Sequence, residues 1–284
     1  MKRVLVAGAT GYLGGFVARE LKNRGHFVRA LARSPKNLAS FLGSLDEIVE
    51  ADVTRPETLA GVCDGVDVVF SSIGMTRQRD GLTFRDVDYQ GNRNLLDRAL
   101  KAGVKKFVYV SVFNGPHLLH LDIVRAHEDF VRELKTSGIG FAVIRPTGYF
   151  SDMGEFLQMA RKGRVWLIGR GDNRMNPIHG ADLAVACAGA VEGRDQEIDV
   201  GGPEVLTYRQ AAEMAFEALD RKARISAVPV WLMRAFVAFT RILNRHQAAL
   251  LAFFLTMMTS DMVAPAAGSR TLGAYFTEEV RKTP

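Results

Sequence analysis

Three evenly spaced glycines, Gly8, Gly11 and Gly14, follow a short apolar run and open a segment of helical period. The first glycine allows a tight turn, the second lets backbone N–H groups approach a pyrophosphate, and the third permits close packing of helix on strand. This spacing predicts a phosphate-binding turn. Its predicted binding residues are Gly8, Thr10, Gly11, Tyr12, Leu13 and Gly14.

A second polar cluster follows the next apolar run, in the stretch Ala32-Arg-Ser-Pro-Lys. Dinucleotide-binding folds that prefer NAD carry an acidic residue here, about 20 residues after the glycines, which binds the ribose 2′-hydroxyl. Arg33, Ser34 and Lys36 stand there instead, and a guanidinium can grip a 2′-phosphate with two hydrogen bonds. We therefore predict NADP(H) as the preferred cofactor, with NAD(H) possible. The alternative is that Arg33 is a solvated surface cation.

The elements that must position these residues alternate between apolar runs of strand length and segments of helical period. This alternation predicts an α/β fold with a doubly wound parallel sheet of the Rossmann type. The predicted strands are Arg3–Ala7, Phe27–Ala32, Glu47–Glu50, Val66–Ser71, Lys106–Val110 and Phe141–Arg145. The predicted helices are Tyr12–Arg24, Pro56–Cys63, Phe84–Ala102 and Leu121–Ser137.

We predict two regions along the chain. Residues 1–150 form the nucleotide-binding core, which residues 175–202 rejoin through a helix at His179–Val191 and a strand at Ile198–Val200. Residues 151–174 and 203–284 form a small, mostly helical C-terminal cap that binds the substrate.

Composition excludes several classes of protein. With 284 residues, 48% hydrophobic and 24% charged, the chain is neither disordered nor collagen-like. Its net charge of +6 suits a phosphate-bearing ligand, and no nucleic-acid-binding motif is present. Cys63 and Cys187 are too far apart in sequence for a Cys-x-x-Cys site. We expect no metal site and no disulfide framework, and a cytoplasmic location.

Several stretches resemble one superfamily, the short-chain dehydrogenases/reductases in their extended or atypical branch. Together with the glycine turn, the matching stretches are Asp52-Val-Thr-Arg-Pro, Ser71-Ser-Ile-Gly, Tyr109-Val-Ser-Val-Phe, Ile144-Arg-Pro-Thr-Gly-Tyr-Phe and Asn176-Pro-Ile-His-Gly-Ala-Asp. Within that branch the chain is most similar to the NmrA-like and isoflavone-reductase-like NAD(P)-binding proteins.

This resemblance implies roles for three groups of residues. Asp52 and Val53 would lie against the adenine, although Asp52 could instead serve the turn before the next helix. The ribose and pyrophosphate would be lined by Ser71, Ser72, Ile73 and Gly74. The nicotinamide would be flanked by Pro146, Thr147, Gly148, Tyr149 and Phe150.

The superfamily's usual proton donor is absent. That donor is a tyrosine assisted by a lysine four residues later, and this chain contains no Tyr-x-x-x-Lys. Placing Ser111 on the family's serine puts Ile123 near the tyrosine position and His127 at the lysine position. The resemblance thus implies that Ser111, Val112 and His127 adjoin the cofactor.

Candidate catalytic residues are therefore His127, Ser111 and Tyr149. His127 could transfer a proton because imidazole titrates near neutral pH, and Tyr149 is the second choice. An enone or quinone acceptor would need little acid help, since Ser111 and backbone N–H groups could stabilise its delocalised oxyanion. The alternative for His127 is a surface histidine beside Glu128.

Residues 228–258 combine aromatic and aliphatic side chains with Arg234, Arg241 and Arg245. The arginine spacings of seven and four predict one helical face, which is typical of a helix lying at a membrane interface. The alternatives are a cap helix packed on the core and the wall of an apolar pocket. We keep peripheral contact with the inner face of a membrane as an expectation.

Two classes of function remain. The first is an NADP(H)-dependent oxidoreductase of the atypical short-chain type that transfers hydride to an apolar carbonyl, enone or quinone-like substrate. The second is a non-catalytic NADP(H)-binding redox sensor or assembly factor, which the missing Tyr-x-x-x-Lys favours. A sugar-nucleotide epimerase or dehydratase is a third reading, and it too normally requires the absent tyrosine.

Overall fold

The computed structural model describes residues 1–34, 43–74 and 81–282. Within these ranges, one sheet contains seven strands: β1 (Arg3–Ala7), β2 (Phe27–Ala32), β3 (Glu47–Glu50), β4 (Val68–Ser71), β5 (Lys106–Val110), β6 (Gly140–Pro146) and β9 (Gln196–Val200). Their order in the sheet is β3-β2-β1-β4-β5-β6-β9. Two further pairs are made by β7 (Val165–Ile168) with β11 (Ile225–Val228) and by β8 (Arg174–Met175) with β10 (Leu206–Thr207).

The described ranges contain nine α-helices, and the last three follow one another with no strand between them. They are α1 (Tyr12–Asn23), α2 (Asn92–Lys101), α3 (Asp122–Thr136), α4 (Phe150–Arg161), α5 (Gly180–Glu192), α6 (Tyr208–Glu217), α7 (Val230–Leu243), α8 (Arg245–Met258) and α9 (Leu272–Lys282). A π-helical segment, Arg85–Gly91, runs directly into α2, and 3-10 turns occupy Pro56–Leu59 and Gly115–His117.

The strand order reverses beside β1. In the parallel register, Val6 lies opposite Ala30 of β2 on one side and Phe70 of β4 on the other. In open α/β sheets the crevice at such a reversal, outside the carboxyl ends of the strands, is where ligands bind. The prediction of a doubly wound Rossmann-type sheet is confirmed.

The central strands are buried on both faces, so their sequences read as continuous apolar runs rather than alternating ones. In β1 every residue after Arg3, from Val4 to Ala7, is buried. In β5, Phe107 and Tyr109 are fully buried. This core holds the carboxyl ends of the strands rigid.

Four predicted elements differ from the observed ones by more than one residue or in helix type. The strand predicted at Ile198–Val200 begins two residues earlier, at Gln196. The helix predicted at Pro56–Cys63 is only a 3-10 turn ending at Leu59, and Gly61 beyond it adopts a φ of +73°, outside the helical range. The helix predicted at Phe84–Ala102 begins as the π-helical segment. The strand predicted from Val66 starts at Val68.

The chain divides into two compact units. The first comprises residues 1–145 and 183–198, and the second comprises residues 146–182 and 199–284. The first contains nearly all of the central sheet with α1, α2, α3 and α5. The second contains the two small strand pairs with α4 and α6 to α9. Residues 146–150 cluster with the second unit.

The basic, apolar stretch 228–258 forms two helices rather than one. Asn244 takes an extended conformation with φ −149°, and its side chain accepts a hydrogen bond of 3.0 Å from the backbone N–H of Gln247. Asparagine in this position begins a new helix. Arg245 therefore starts α8, and the prediction that it shares a helical face with Arg234 and Arg241 is wrong.

Within the described ranges, no helix combines the length and apolar character needed to cross a bilayer.

Candidate functional site

The glycine turn joins β1 to α1 in a conformation that its glycines require. Gly8 adopts a φ of +90°, and the N–H of Gly11 donates 2.9 Å to the Gly8 carbonyl oxygen. A Cβ atom built on Gly14 would overlap that same carbonyl oxygen. Gly11 is the N-cap of α1, and no side chain caps the helix there. The start of α1 is thus shaped to receive an anion.

A groove of about 260 Å³ lies at the carboxyl ends of β1 to β4. It brings together nine of the residues singled out from the sequence: Gly8, Thr10, Gly11, Arg33, Asp52, Val53, Ser72, Ile73 and Gly74. Five further lining residues were not predicted as site residues: Leu31, Ala32, Ala51, Thr54 and Val87. Three of these, Ala32, Ala51 and Thr54, directly adjoin predicted positions in the chain, so strand-end neighbours were the available signal.

Ser72 presents an unsatisfied hydroxyl in this groove. Its Oγ is buried and has no hydrogen-bond partner in the described part of the chain. A Cβ built on Gly8 would stand 2.8 Å from that oxygen, so only glycine leaves the space beside it open. A buried hydroxyl without a partner costs free energy unless a ligand or water satisfies it.

Ser71, its neighbour, faces the opposite way. It is fully buried, and its hydroxyl donates 2.6 Å to Oδ1 of Asn92. The Nδ2 group of Asn92 in turn donates 2.8 Å to the carbonyl oxygen of Asp88. Ser71 therefore ties β4 to the helix behind it.

The end of β2 supplies a cation to the groove. Arg33 is exposed and lines the groove, and Ser34 is half-buried beside it. Lys36 lies outside the described residues. Asp52 also lines the groove, but its Oδ1 accepts hydrogen bonds from both the N–H (2.9 Å) and the hydroxyl (2.7 Å) of Thr54. The carboxylate thus serves the turn after β3.

His127 lies at the edge of the same groove with both ring nitrogens engaged. Its Nε2 is 3.0 Å from Oδ1 of Asp88, and its Nδ1 is 2.6 Å from the hydroxyl of Tyr109. A Cβ on Gly74 would stand 3.4 Å from the His127 Cε1 atom, so the ring lies beside a residue that lines the groove. His127 is buried, unlike the surface histidine considered as an alternative.

Tyr109 holds the His127 ring through its hydroxyl, which bonds to Nδ1. Burial, reinforced by the charges of Asp88 and Glu128, raises the pKa of Tyr109 well above its usual value. The phenol therefore keeps its proton and can donate it to Nδ1, which leaves the Nε2 proton for Asp88. Asp88 and Tyr109 carried no sequence signal for this contact.

Ser111 belongs to a buried ionic chain rather than to an open site. Its hydroxyl donates 2.7 Å to Oε1 of Glu128, and Arg145 donates to both oxygens of Glu128 at 3.1 and 3.0 Å. Arg145 also donates 2.7 Å to Glu197. Ser111, Glu128 and Arg145 are all buried. Val112, which follows Ser111, is half-buried.

The residues predicted to flank a nicotinamide, 146–150, belong to the second unit. Thr147 donates its hydroxyl 2.6 Å to the carbonyl oxygen of Asn176. Tyr149 is the N-cap residue of α4, and its N–H donates 3.3 Å to Oδ2 of Asp152. These contacts hold the turn between β6 and α4.

Other polar residues noted in the sequence have structural partners. Asp182 pairs with Arg270 and also accepts the backbone N–H of Ser269 at 3.0 Å. His179 accepts the N–H of Ala181 at 3.1 Å, as expected for a residue that opens a helix. In the ranges that the structure describes, no group of three or more His, Cys, Asp or Glu side chains could hold a metal ion.

Comparison with known proteins agrees with this geometry. A family model described as NAD(P)H-binding matches residues 8–193. The chain is 30% identical to the divinyl chlorophyllide a 8-vinyl-reductase of Oryza sativa subsp. indica, covering 98% of this chain and 78% of that protein. It is 28% identical to the photosystem II assembly factor Ycf39 of Synechocystis, covering 84% of this chain and 74% of that protein.

A solved structure shares the fold. The NADPH-dependent quinone oxidoreductase of Escherichia coli, crystallised with NADPH, superposes with a TM-score of 0.76 at 19% identity, covering 98% of this chain and 99% of that one. With the glycine turn, the strand order and the family match in agreement, the chain belongs to the NAD(P)H-binding family within the atypical short-chain dehydrogenases/reductases.

Proposed function

We propose that the protein is an NADP(H)-dependent oxidoreductase that reduces an apolar carbonyl, enone or quinone-like compound. The observation that carries the proposal is the groove at the carboxyl ends of β1 to β4, where the glycine turn, Ser72 and Arg33 converge. The names of two similar proteins support a conjugated acceptor: one reduces a vinyl group and the other a quinone.

The groove fits the cofactor on two features of its own. The unpartnered Ser72 hydroxyl offers a hydrogen bond to a ribose or phosphate oxygen, and the space beside Gly8 is one that a Cβ would fill. The start of α1 would hold the pyrophosphate, and Arg33 would hold the 2′-phosphate. Val53 would lie against the adenine, where its apolar side chain lines the groove.

When bound, NADPH would supply the hydride. The chain's own residues provide little acid catalysis at that point. Both nitrogens of His127 are held by Asp88 and Tyr109, and the Ser111 hydroxyl is held by Glu128. An acceptor that delocalises the negative charge it receives needs no strong acid beside it. This favours an enone or quinone over a simple ketone, and Tyr149 stays the second candidate for a side-chain proton donor.

Steady-state oxidation of NADPH with members of three acceptor classes tests the proposal. We expect turnover with an apolar quinone or enone and slower turnover with an unconjugated ketone. The variant Tyr149→Phe tests this second candidate donor, and it should lower the rate more with the ketone than with the quinone. Binding of NADPH without turnover in any class would contradict the proposal.

A non-catalytic regulator or assembly factor is the second candidate. It is supported by the similarity to an assembly factor and by the closed hydrogen bonds of His127 and Ser111. Such a protein would bind NADPH and NADP⁺ with different affinities and show no turnover. Parallel titrations with both nucleotides, together with the acceptor assay, separate the two candidates.

The proposed site of action is the cytoplasm, at the inner face of a membrane. The two cysteines are buried thiols, which suits a reducing compartment, and burial raises the pKa of Cys63 to about 12. The contact with the membrane is assigned to α7.

A further inference from the structure

Helix α7 carries an apolar stripe that faces solvent. Leu232, Phe236, Phe239 and Leu243 are separated by four, three and four residues, the spacing of one helical face. In globular proteins such a stripe packs on a core, yet these four side chains are between 46% and 73% exposed. Thr240 is the residue of α7 that is buried.

Two more residues widen this stripe, and two arginines border it. Trp231 is 70% exposed and Ile242 is 81% exposed. At 3.6 residues per turn, the exposed apolar side chains span an arc of about 140°. Arg234 and Arg241 are seven residues apart, so they lie together along one edge of that arc, and both are exposed. The opposite side of α7 packs against α8.

The surrounding sequence is strongly one-sided in charge. No Asp or Glu occurs between Asp220 and Asp261. The basic residues in that interval are Arg221, Lys222, Arg224, Arg234, Arg241 and Arg245. An apolar patch inside a purely cationic segment calls for a partner that is apolar in its interior and anionic at its surface.

We propose that α7 docks in the surface of a membrane that contains anionic lipids. The docking face comprises Trp231, Leu232, Phe236, Phe239, Ile242 and Leu243, with Arg234 and Arg241 at its edge. The helix lies parallel to the bilayer, its apolar side chains enter the boundary between headgroups and acyl chains, and its arginines contact lipid phosphates. This inference deepens the proposed location and rests on that part of the proposed function, independently of turnover.

A second copy of the chain is a poorer occupant of this face. Two copies would bring their arginines together, and the segment 221–260 contains no acidic residue to pair them. The arc of about 140° on a helix about 21 Å long and about 10 Å in diameter offers about 260 Å². Each partner in a stable dimer buries about 800 Å². A bilayer surface has neither restriction.

Sedimentation of the full chain with vesicles tests the docking face. We expect binding to vesicles of phosphatidylcholine with phosphatidylglycerol, weak binding to phosphatidylcholine alone, and loss of binding at high salt. The double variant Arg234→Glu/Arg241→Glu should lower the partition coefficient by about 30-fold or more. The matched control, Lys105→Glu/Arg194→Glu, removes the same charge from exposed positions in the first unit and should bind nearly as the unmodified protein does.

Trp231 reports whether the face enters the bilayer. The chain has two tryptophans, so Trp166→Phe leaves Trp231 as the sole emitter. Its emission should shift to shorter wavelength with anionic vesicles, and brominated lipids should quench it. In that background, Phe236→Ser/Phe239→Ser should abolish the shift. The control Val185→Ser changes an exposed apolar residue outside α7 and should preserve it.

Each outcome decides the inference. Anionic-selective sedimentation with a Trp231 shift, lost in both α7 variants and kept in both controls, supports it. Equal binding to neutral vesicles, no binding, or self-association that Phe236→Ser/Phe239→Ser abolishes would overturn it. An NADPH titration on the same preparations keeps the proposals separate. Nucleotide binding without vesicle binding rejects only the docking face, and vesicle binding without nucleotide binding rejects only the oxidoreductase.

Discussion

The carboxyl ends of β1 to β4 and the neighbouring end of β5 differ in what their polar groups face. At β1 to β4, backbone turns and the unpartnered hydroxyl of Ser72 surround a groove. Beyond β5, Ser111 bonds to Glu128, and at the groove's edge His127 bonds to Asp88 and Tyr109. The first region leaves a buried hydroxyl open to a ligand, whereas in the second the Ser111 hydroxyl and both ring nitrogens of His127 are bonded to protein groups.

This difference indicates how a reductase could work without the usual proton-donating pair. The groove provides affinity and orientation for the cofactor. The β5 region provides rigidity beside it, because a ligand would have to break existing hydrogen bonds to use Ser111 or His127.

The buried ionic chain beyond β5 gives the largest effect on stability. Arg145→Met would leave Glu128 buried without its cation, so the free energy of unfolding should fall by about 3–5 kcal/mol. Urea denaturation measures this, and the double variant Arg145→Met/Glu128→Leu should recover most of the loss. The folded fraction should bind NADPH normally. If the free energy of unfolding fell by less than about 1 kcal/mol, the buried ion pair between Arg145 and Glu128 would not be the structural support proposed here.

The glycine turn gives the largest effect on binding. In Gly14→Ala the new Cβ collides with the Gly8 carbonyl oxygen, so the turn must open. NADPH affinity should fall at least about 100-fold, equivalent to about 2.7 kcal/mol. The control is Gly154→Ala in α4, where a Cβ meets nothing within 4 Å. That variant should gain up to about 1 kcal/mol of stability and bind normally.

Arg33 tests the choice of cofactor at the rim of the groove. Arg33→Asp should weaken NADPH binding by about 10- to 100-fold, because a charge-assisted bond to phosphate contributes about 1.5–3 kcal/mol. NADH binding should be unchanged or improved, since an acid can accept the ribose hydroxyl. Arg19→Asp, an equally exposed reversal on α1, is the control for net charge. Equal losses in the two variants would refute the assignment.

Loss of the hydrogen bond between Tyr109 and His127 should have the smallest effect on the free energy of unfolding. Tyr109→Phe removes one buried hydrogen bond and should cost about 1 kcal/mol at neutral pH. Because the pKa of Tyr109 is raised on folding, the folded state holds its phenol proton more tightly than the unfolded state. Stability from this group is therefore present below pH of about 10 and declines above it, by up to about 1.4 kcal/mol per pH unit.

In Tyr109→Phe this alkaline decline should become shallower. Urea denaturation at a series of pH values measures the slope. An unchanged slope would mean that Tyr109 ionises as readily in the folded protein as in the unfolded one.

The glycine turn and the sheet were predictable because their causes are local. Gly8 needs a positive φ, Gly14 needs space, and an apolar run followed by a helical period encodes a βα unit. Arg33 was predictable for the same reason, since its place at the end of β2 follows from its position after the glycines.

The surroundings of Ser111 and His127 were not predictable because their partners are distant in the chain. Arg145 reaches Glu197 across 52 residues, and Tyr109 reaches His127 across 18. Which hydroxyl faces a ligand and which faces a buried ion pair depends on packing that spacing does not encode. The break at Asn244 had a local signal, a helix-capping residue, that the arginine spacing obscured.

Calorimetric titration of the unmodified protein with NADPH, NADP⁺, NADH and NAD⁺ tests the central claim most directly. The groove predicts binding of the phosphorylated nucleotides at least about tenfold tighter than that of NADH or NAD⁺, a difference of about 1.4 kcal/mol or more. Equal affinity for NADPH and NADH would contradict the role of Arg33. No binding of any of the four by folded protein would contradict the assignment of the groove itself.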